Sequence, residues 1–249
     1  MQACIIQQDG KAMRNSIGRR QFLCGCCAVL GAAVLPRQAS AAGDPEIVSI
    51  EFASFHDQTF SNEYLRFMNV TIPAGEIAPY HRHTRDFAQV YMAVSDAEGT
   101  PLGGKPVIVP RKVGEVLFTN YAKQPVVHQV ANVGSSDFRI MGFEMFDSQP
   151  GRFSPLARPA PYVSVMDNHR VQAWRLILQP GEVAPPMQQA APGVRIVVQG
   201  GELVQGMPGQ PDHRLNLKYG DFAWQDAGST RTMRNAGKST VELVEFELK

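Results

Sequence analysis

The sequence predicts an all-β protein, and three observations carry that prediction. Short apolar or alternating runs recur between turn residues, no apolar stripe of helical period is sustained, and one stretch of the chain is repeated. Beyond Ala42 the runs follow in order as Phe67 to Ile72, Val90 to Val94, Val113 to Phe118, Phe138 to Phe146, Trp174 to Leu178, Val194 to Val198 and Val241 to Leu248. Gly, Pro, Asn and Asp separate them, as they separate the strands of a sandwich or barrel. Gly151 to Pro161, with Pro155, Pro159 and Pro161, reads as a linker.

The repeat crosses that linker. Pro73-Ala74-Gly75-Glu76-Ile77-Ala78-Pro79 returns 106 positions later as Gln179-Pro180-Gly181-Glu182-Val183-Ala184-Pro185, and Gly114-Glu115-Val116 returns at the same offset as Gly220-Asp221-Phe222. After a shortening by three residues, Asn132-Val133-Gly134 and Phe143-Glu144-Met145 match Asn235-Ala236-Gly237 and Phe246-Glu247-Leu248 at an offset of 103. Two copies of one β module account for this most simply. The predicted organisation is a module over 42–150, a linker over 151–165 and a second module over 166–249.

Residues 1–41 read as an export signal. A basic stretch ends in Arg19-Arg20-Gln21-Phe22-Leu23, a modestly apolar run extends from Phe22 to Leu35, and Ala39-Ser40-Ala41 supplies a small-x-small cleavage pattern. Arg19 and Arg20 before x-Phe-Leu resemble the twin-arginine type, which predicts the export machinery as a partner and a periplasmic or secreted protein starting near Ala42. About 14 apolar residues are too few to span a bilayer, so no permanent membrane anchor is expected. All four Cys lie within the first 27 residues, so a processed chain has no thiol for a disulfide, zinc site or nucleophile. The net charge of +1, without a basic block, argues against nucleic acid as a partner.

The chemistry lies in histidines. Gly75 is followed after five residues by His81-Arg82-His83, and later come Gly114 and His128-Gln129-Val130-Ala131-Asn132. On a strand, His81 and His83 face one side, about 6 to 7 Å apart along the chain. His128 from a distant strand would close a facial triad, and imidazole suits Fe, Mn, Ni, Cu or Zn. These motifs resemble the cupin superfamily, whose first motif is Gly-x5-His-x-His followed by Glu and whose second ends in His-x3-Asn. The resemblance covers about 66–146, with 174–249 as a degenerate second copy, so the chain looks like a bicupin. It implies two tandem jelly-roll β-barrels, one divalent transition metal in the first, and a small-molecule substrate or ligand.

The sequence departs from that pattern at the carboxylate: the Glu slot holds Phe87 or Ala88, and one residue further Gln89. Gln89 is thus either a weak ligand or a hydrogen-bonding neighbour of a three-histidine site. In the second copy the offsets carry the histidine positions to Met187, Gln189 and Arg231, and Gln89 to Arg195. No metal is expected there; the arginines are expected at the rim, in packing or, alternatively, holding an anion. Tyr91 and Phe118 are the candidate substrate-pocket residues, while His56, His169 and His213 are expected at the surface. Three functions remain open: a mononuclear non-haem oxidoreductase of dioxygenase type, a small-molecule binding or sensing protein, and a metal-dependent isomerase or hydrolase on a sugar or acyl compound. A homo-oligomer is compatible with all three.

Overall fold

The computed structural model describes residues 44–146 and 151–249, and the expected export signal, Arg19 and Arg20 included, lies outside them. Among the described residues the regular elements are strands, apart from one short 3₁₀ turn at Ile50–Phe52. No helix among them is long and apolar enough to cross a membrane. Residues 46–249 belong to one compact unit.

The first module runs through β1 (Val48–Ser49), β2 (His56–Ser61), β3 (Leu65–Ile72), β4 (Ile77–His83), β5 (Phe87–Ala93), β6 (Ala97–Pro101), β7 (Val107–Ile108), β8 (Val116–Thr119), β9 (Val126–Asn132) and β10 (Phe138–Met145). They build two sheets, ordered β1-β4-β9-β6-β7 and β2-β3-β10-β5-β8. The second module has β11 (Val163–Asp167), β12 (Val171–Leu178), β13 (Val183–Gln188), β14 (Gly193–Gln199), β15 (Gly201–Gly206), β16 (His213–Leu217), β17 (Phe222–Gln225), β18 (Thr230–Asn235) and β19 (Val241–Leu248). Its sheets are β11-β12-β19-β14-β17 and β13-β18-β15-β16, the same order except that β1 has no counterpart among the described residues.

The repeat extends to single residue pairs. Phe138 lies opposite Ile72 and Val241 opposite Leu178; His81 lies opposite His128 and Met187 opposite Arg231; Gln89 lies opposite Gly142 and Arg195 opposite Glu245. Every one of these correspondences obeys the sequence offsets of 106 and 103.

Strand alternation distributes side chains over three cores. Met68, Val70, Ile72, Phe87, Tyr91 and Phe138 fill the first barrel. Trp174, Leu176, Leu178, Val197, Leu203 and Leu243 fill the second. The opposite faces of the two larger sheets supply a shared third core, in which Phe67, Ala88, Val90, Met141 and Phe143 meet Val171, Val194, Ile196, Phe222 and Phe246. These strands are therefore buried on both sides, which is why β5 and β14 read as nearly unbroken apolar runs.

The segment expected as a linker is integrated into the second barrel. The boundary drawn at 165 falls inside β11. Tyr162 belongs to the second barrel's core, and the Arg158 side chain is only 1% exposed.

Candidate metal centre

The site is built on a bulge in β4. Ala78 pairs with Val130 and His81 with His128, so β4 carries one residue more than β9 between these pairs. A bulge tolerates proline, and Pro79 occupies it; Pro185 and Pro186 occupy the matching bulge between Ala184 and Met187. The extra residue turns His81 and His83 inward while Arg82 stays exposed. It also presents the Pro79 carbonyl to His81, whose Nδ1 lies 2.8 Å from it. The motif glycine and asparagine brace the same strands. Gly75, at φ +81°, donates its backbone N–H to the Asn132 carbonyl, and the Asn132 side-chain amide donates to the carbonyls of Ile72 and Ser136. Gly181 and Asn235 repeat this arrangement in the second barrel.

His81, His83 and His128 converge, with one ligand atom from each lying within 4.8 Å of the others. His128 Nε2 is 3.0 Å from His81 Nε2 and 3.1 Å from His83 Nε2. A carbonyl only accepts, so the His81 proton sits on Nδ1 and its Nε2 offers a lone pair. One proton on His128 can satisfy only one of its two contacts. A cation would resolve the conflict, and the donor set fits one: three imidazole nitrogens are ligands that divalent transition metals take. Burial is the main cause that lowers all three imidazoles below their ordinary range, His81 and His128 to about 4 and His83 to about 2, with mutual repulsion adding to it. They are neutral at pH 7 and free to ligate. His83 stacks on Tyr121 at 4.4 Å, and its buried Nδ1 has no hydrogen-bond partner among the described residues.

His83 and His128 open into a cavity of about 310 Å³, near the lower end of the size range of small-molecule sites. Phe87, Leu117, Val130 and Ile140 give it apolar walls; Gln89, Tyr91, Thr119 and Tyr121 give it polar ones. Gln89 donates its amide N–H to the Tyr91 hydroxyl at 3.0 Å. Arg111 stands over the Tyr91 ring, 5.2 Å from its centroid, and pairs with Glu115 at 2.8 Å. Tyr91 thus lines the cavity. Phe118 does not: β8 spans Val116–Thr119, so Leu117 and Thr119 face the cavity while Phe118 packs on the inter-barrel face beside His169. His56 was expected at the surface but lines the cavity, its ring 4.7 Å from that of His81. No motif surrounds it, and only the pairing of β2 with β3 brings it in.

The second barrel has a charged plug at the equivalent place. Arg195 and Arg231, expected at a rim, are 3% and 2% exposed. Arg231 pairs with Glu245 at 2.9 Å. Arg158 reaches in from the segment before β11, bonds Glu245, pairs with Glu247 at 2.7 Å and lies over Trp174 at 4.2 Å. The expectation of rim arginines fails because Glu245, the buried partner of Arg231, and Arg158 with Glu247, which complete the plug, lie outside the histidine motifs. Glu245 occupies the position of Gly142, where even a Cβ would come within 2.8 Å of Gln89 Cβ.

No protein-family model matches the chain, and no curated protein matches it. Solved structures do. AerE from Microcystis aeruginosa aligns with a TM-score of 0.56 at 14% identity, covering 78% of this chain and 97% of that one. Salicylate 1,2-dioxygenase from Pseudaminobacter salicylatoxidans aligns at 0.51 and 14% identity, covering 74% and 71%. A mutant of that dioxygenase in complex with gentisate aligns at 0.52 and 13% identity, covering 74% and 68%. At such identities the likeness speaks for the fold. The chain has a bicupin-like fold, two cupin-type jelly rolls in tandem, and among the described residues only the first carries a converging histidine cluster.

Proposed function

We propose that this chain is an exported metal-binding bicupin in which His81, His83 and His128 hold one divalent transition metal, and that it acts as a mononuclear non-haem oxidoreductase of dioxygenase type on a small organic substrate. The observation that carries this reading is the convergence of three neutral imidazoles, without a carboxylate, beside a cavity of about 310 Å³. A metal bound there supplies open coordination positions for substrate and oxygen. The chain's own residues do the rest. Phe87, Leu117 and Ile140 exclude water, and the Gln89–Tyr91 hydrogen bond fixes a polar wall. Three neutral ligands would leave a divalent charge uncancelled, while Arg111 in the lining is already balanced by Glu115. That charge balance favours an anionic or acidic substrate. The likeness to a salicylate dioxygenase, one form of it in complex with gentisate, supports an aromatic acid as the first compound to try.

A second reading, a binding protein without turnover, is favoured by Gln89, a neutral amide engaged with Tyr91 where the motif carries a carboxylate. Elemental analysis and oxygen uptake on the processed protein test both. The expected result is one iron or other redox-active metal per chain, lost when His81 and His83 are both replaced by Ala and retained in Gln189→Ala. Oxygen consumption with an aromatic acid supports the oxidoreductase; stoichiometric metal with ligand binding and no uptake supports the binding protein. More than one metal per chain, kept in the double variant, overturns both.

A further inference from the structure

Three imidazoles line the cavity, His56, His83 and His128, and the His56 ring lies 4.7 Å from that of His81. His56 comes from β2, in the sheet opposite the one that carries His81, His83 and His128. Its Nδ1 lies 3.0 Å from the Ser54 carbonyl, so the proton sits on that nitrogen and Nε2 carries the lone pair. No protein group among the described residues bonds Nε2, and the ring lines the cavity with His83, His128 and Tyr91. The repeat supplies an independent observation. The offset of 106 carries position 56 to Tyr162, whose ring lies 5.0 Å from the Arg158 guanidinium inside the charged plug. The position thus faces the barrel interior in both modules, yet only the first module places an acceptor there beside an open cavity.

We infer that His56 is a substrate-contacting residue whose Nε2 accepts a hydrogen bond from the hydroxyl of a small phenolic or enolic ligand held in the cavity. The inference rests on the metal reading of the same site and adds a specificity determinant: the cavity distinguishes a hydroxyl from its methyl ether. An ether has no proton to give, so it leaves Nε2 unpaired and gains nothing from His56.

The test compares the metal-loaded chain with His56→Phe, which keeps a ring and removes the acceptor, and His56→Gln, which keeps an acceptor. Metal content is measured by elemental analysis, and binding of 4-nitrophenol and 4-nitroanisole by calorimetry at about pH 6, where the phenol keeps its proton. The expected result is one metal in all three proteins, nitrophenol affinity about tenfold lower in His56→Phe and largely restored in His56→Gln, and nitroanisole affinity equal throughout. Equal nitrophenol affinity in wild type and His56→Phe, or no measurable nitrophenol binding to any of them, overturns the inference and leaves the metal reading standing. Metal lost from His56→Phe alone makes His56 a ligand and overturns the inference in that way. Absence of metal from the unsubstituted chain overturns the metal reading and this inference with it.

Discussion

His81, His83 and His128 show how much of a site a motif fixes and how much it leaves out. Their identity and common orientation follow from Gly-x5-His-x-His and His-x3-Asn, because spacing along a strand decides the facing side. Their electrostatics follow from packing: burial holds His81 and His128 near 4 and His83 near 2, well below the ordinary imidazole value. The consequence for stability has a definite sign. An unfolded chain takes up protons on these rings as the pH falls below about 6.5, whereas the folded metal-free chain resists until about 4. Stability present above about pH 6.5 is therefore lost as the pH falls toward 4. Thermal melts of metal-free protein should show Tm dropping between pH 7 and 5, with a clearly smaller drop when His81 and His83 are both Ala. Equal drops in the two proteins would locate the acid sensitivity elsewhere. His56 was not legible at this scale, since one histidine in a strand carries no signal until the strand has found its neighbour.

Elements explain both what the sequence revealed and where it misled. Seven apolar runs sufficed for the all-β reading, and the two repeat offsets carry the strand pairing of one module onto the other, His81 with His128 onto Met187 with Arg231. Phe118 was misplaced because the run Val113 to Phe118 gives no phase; the strand begins only at Val116, and a one-residue slip moves a side chain to the opposite face. The second barrel was misread because its charged plug joins separate elements, Arg158 from the segment before β11, Arg195 from β14, Arg231 from β18 and Glu245 with Glu247 from β19. Three cations facing two carboxylates suit neither a divalent metal nor a rim. Removing Arg158 takes a partner from both glutamates, and breaking such a buried pair costs about 3 to 5 kcal/mol. Arg158→Ala should lower the urea midpoint accordingly while the metal content of the first barrel stays at one per chain. A change below about 1 kcal/mol would mean that Arg231 alone compensates Glu245.

At the scale of the whole chain, two barrels share one interior. Phe67 stacks on Phe222 across the junction at 4.3 Å, and Phe143 meets Phe246 edge to face at 5.2 Å. Polar contacts join the modules around that core. Arg175 of the second module bonds the Gly114 carbonyl of the first, and Arg139 of the first lies over Tyr219, next to Gly220, the counterpart of Gly114. Both glycines hold positive φ, +79° and +81°, so the repeated Gly-acid pair marks a turn that receives an arginine from the other barrel. A chain so closely joined should fold before it can work in another compartment, and the twin-arginine route carries folded proteins. Arg19→Lys together with Arg20→Lys should leave the precursor in the cytoplasm; normal export of that form would refute the route. The joint core also forbids independent unfolding, since opening one barrel exposes the aromatic face of the other. Both tryptophans, Trp174 and Trp224, lie in the second module, whereas metal release reports on the first. Urea titrations followed by tryptophan fluorescence and by metal release should therefore give one coincident transition. Phe222→Ala, which removes the ring stacked on Phe67, should shift both probes together by about 3 to 5 kcal/mol. Two separated midpoints, or a shift confined to fluorescence, would mean that the modules fold independently and that the shared core contributes little to cooperativity.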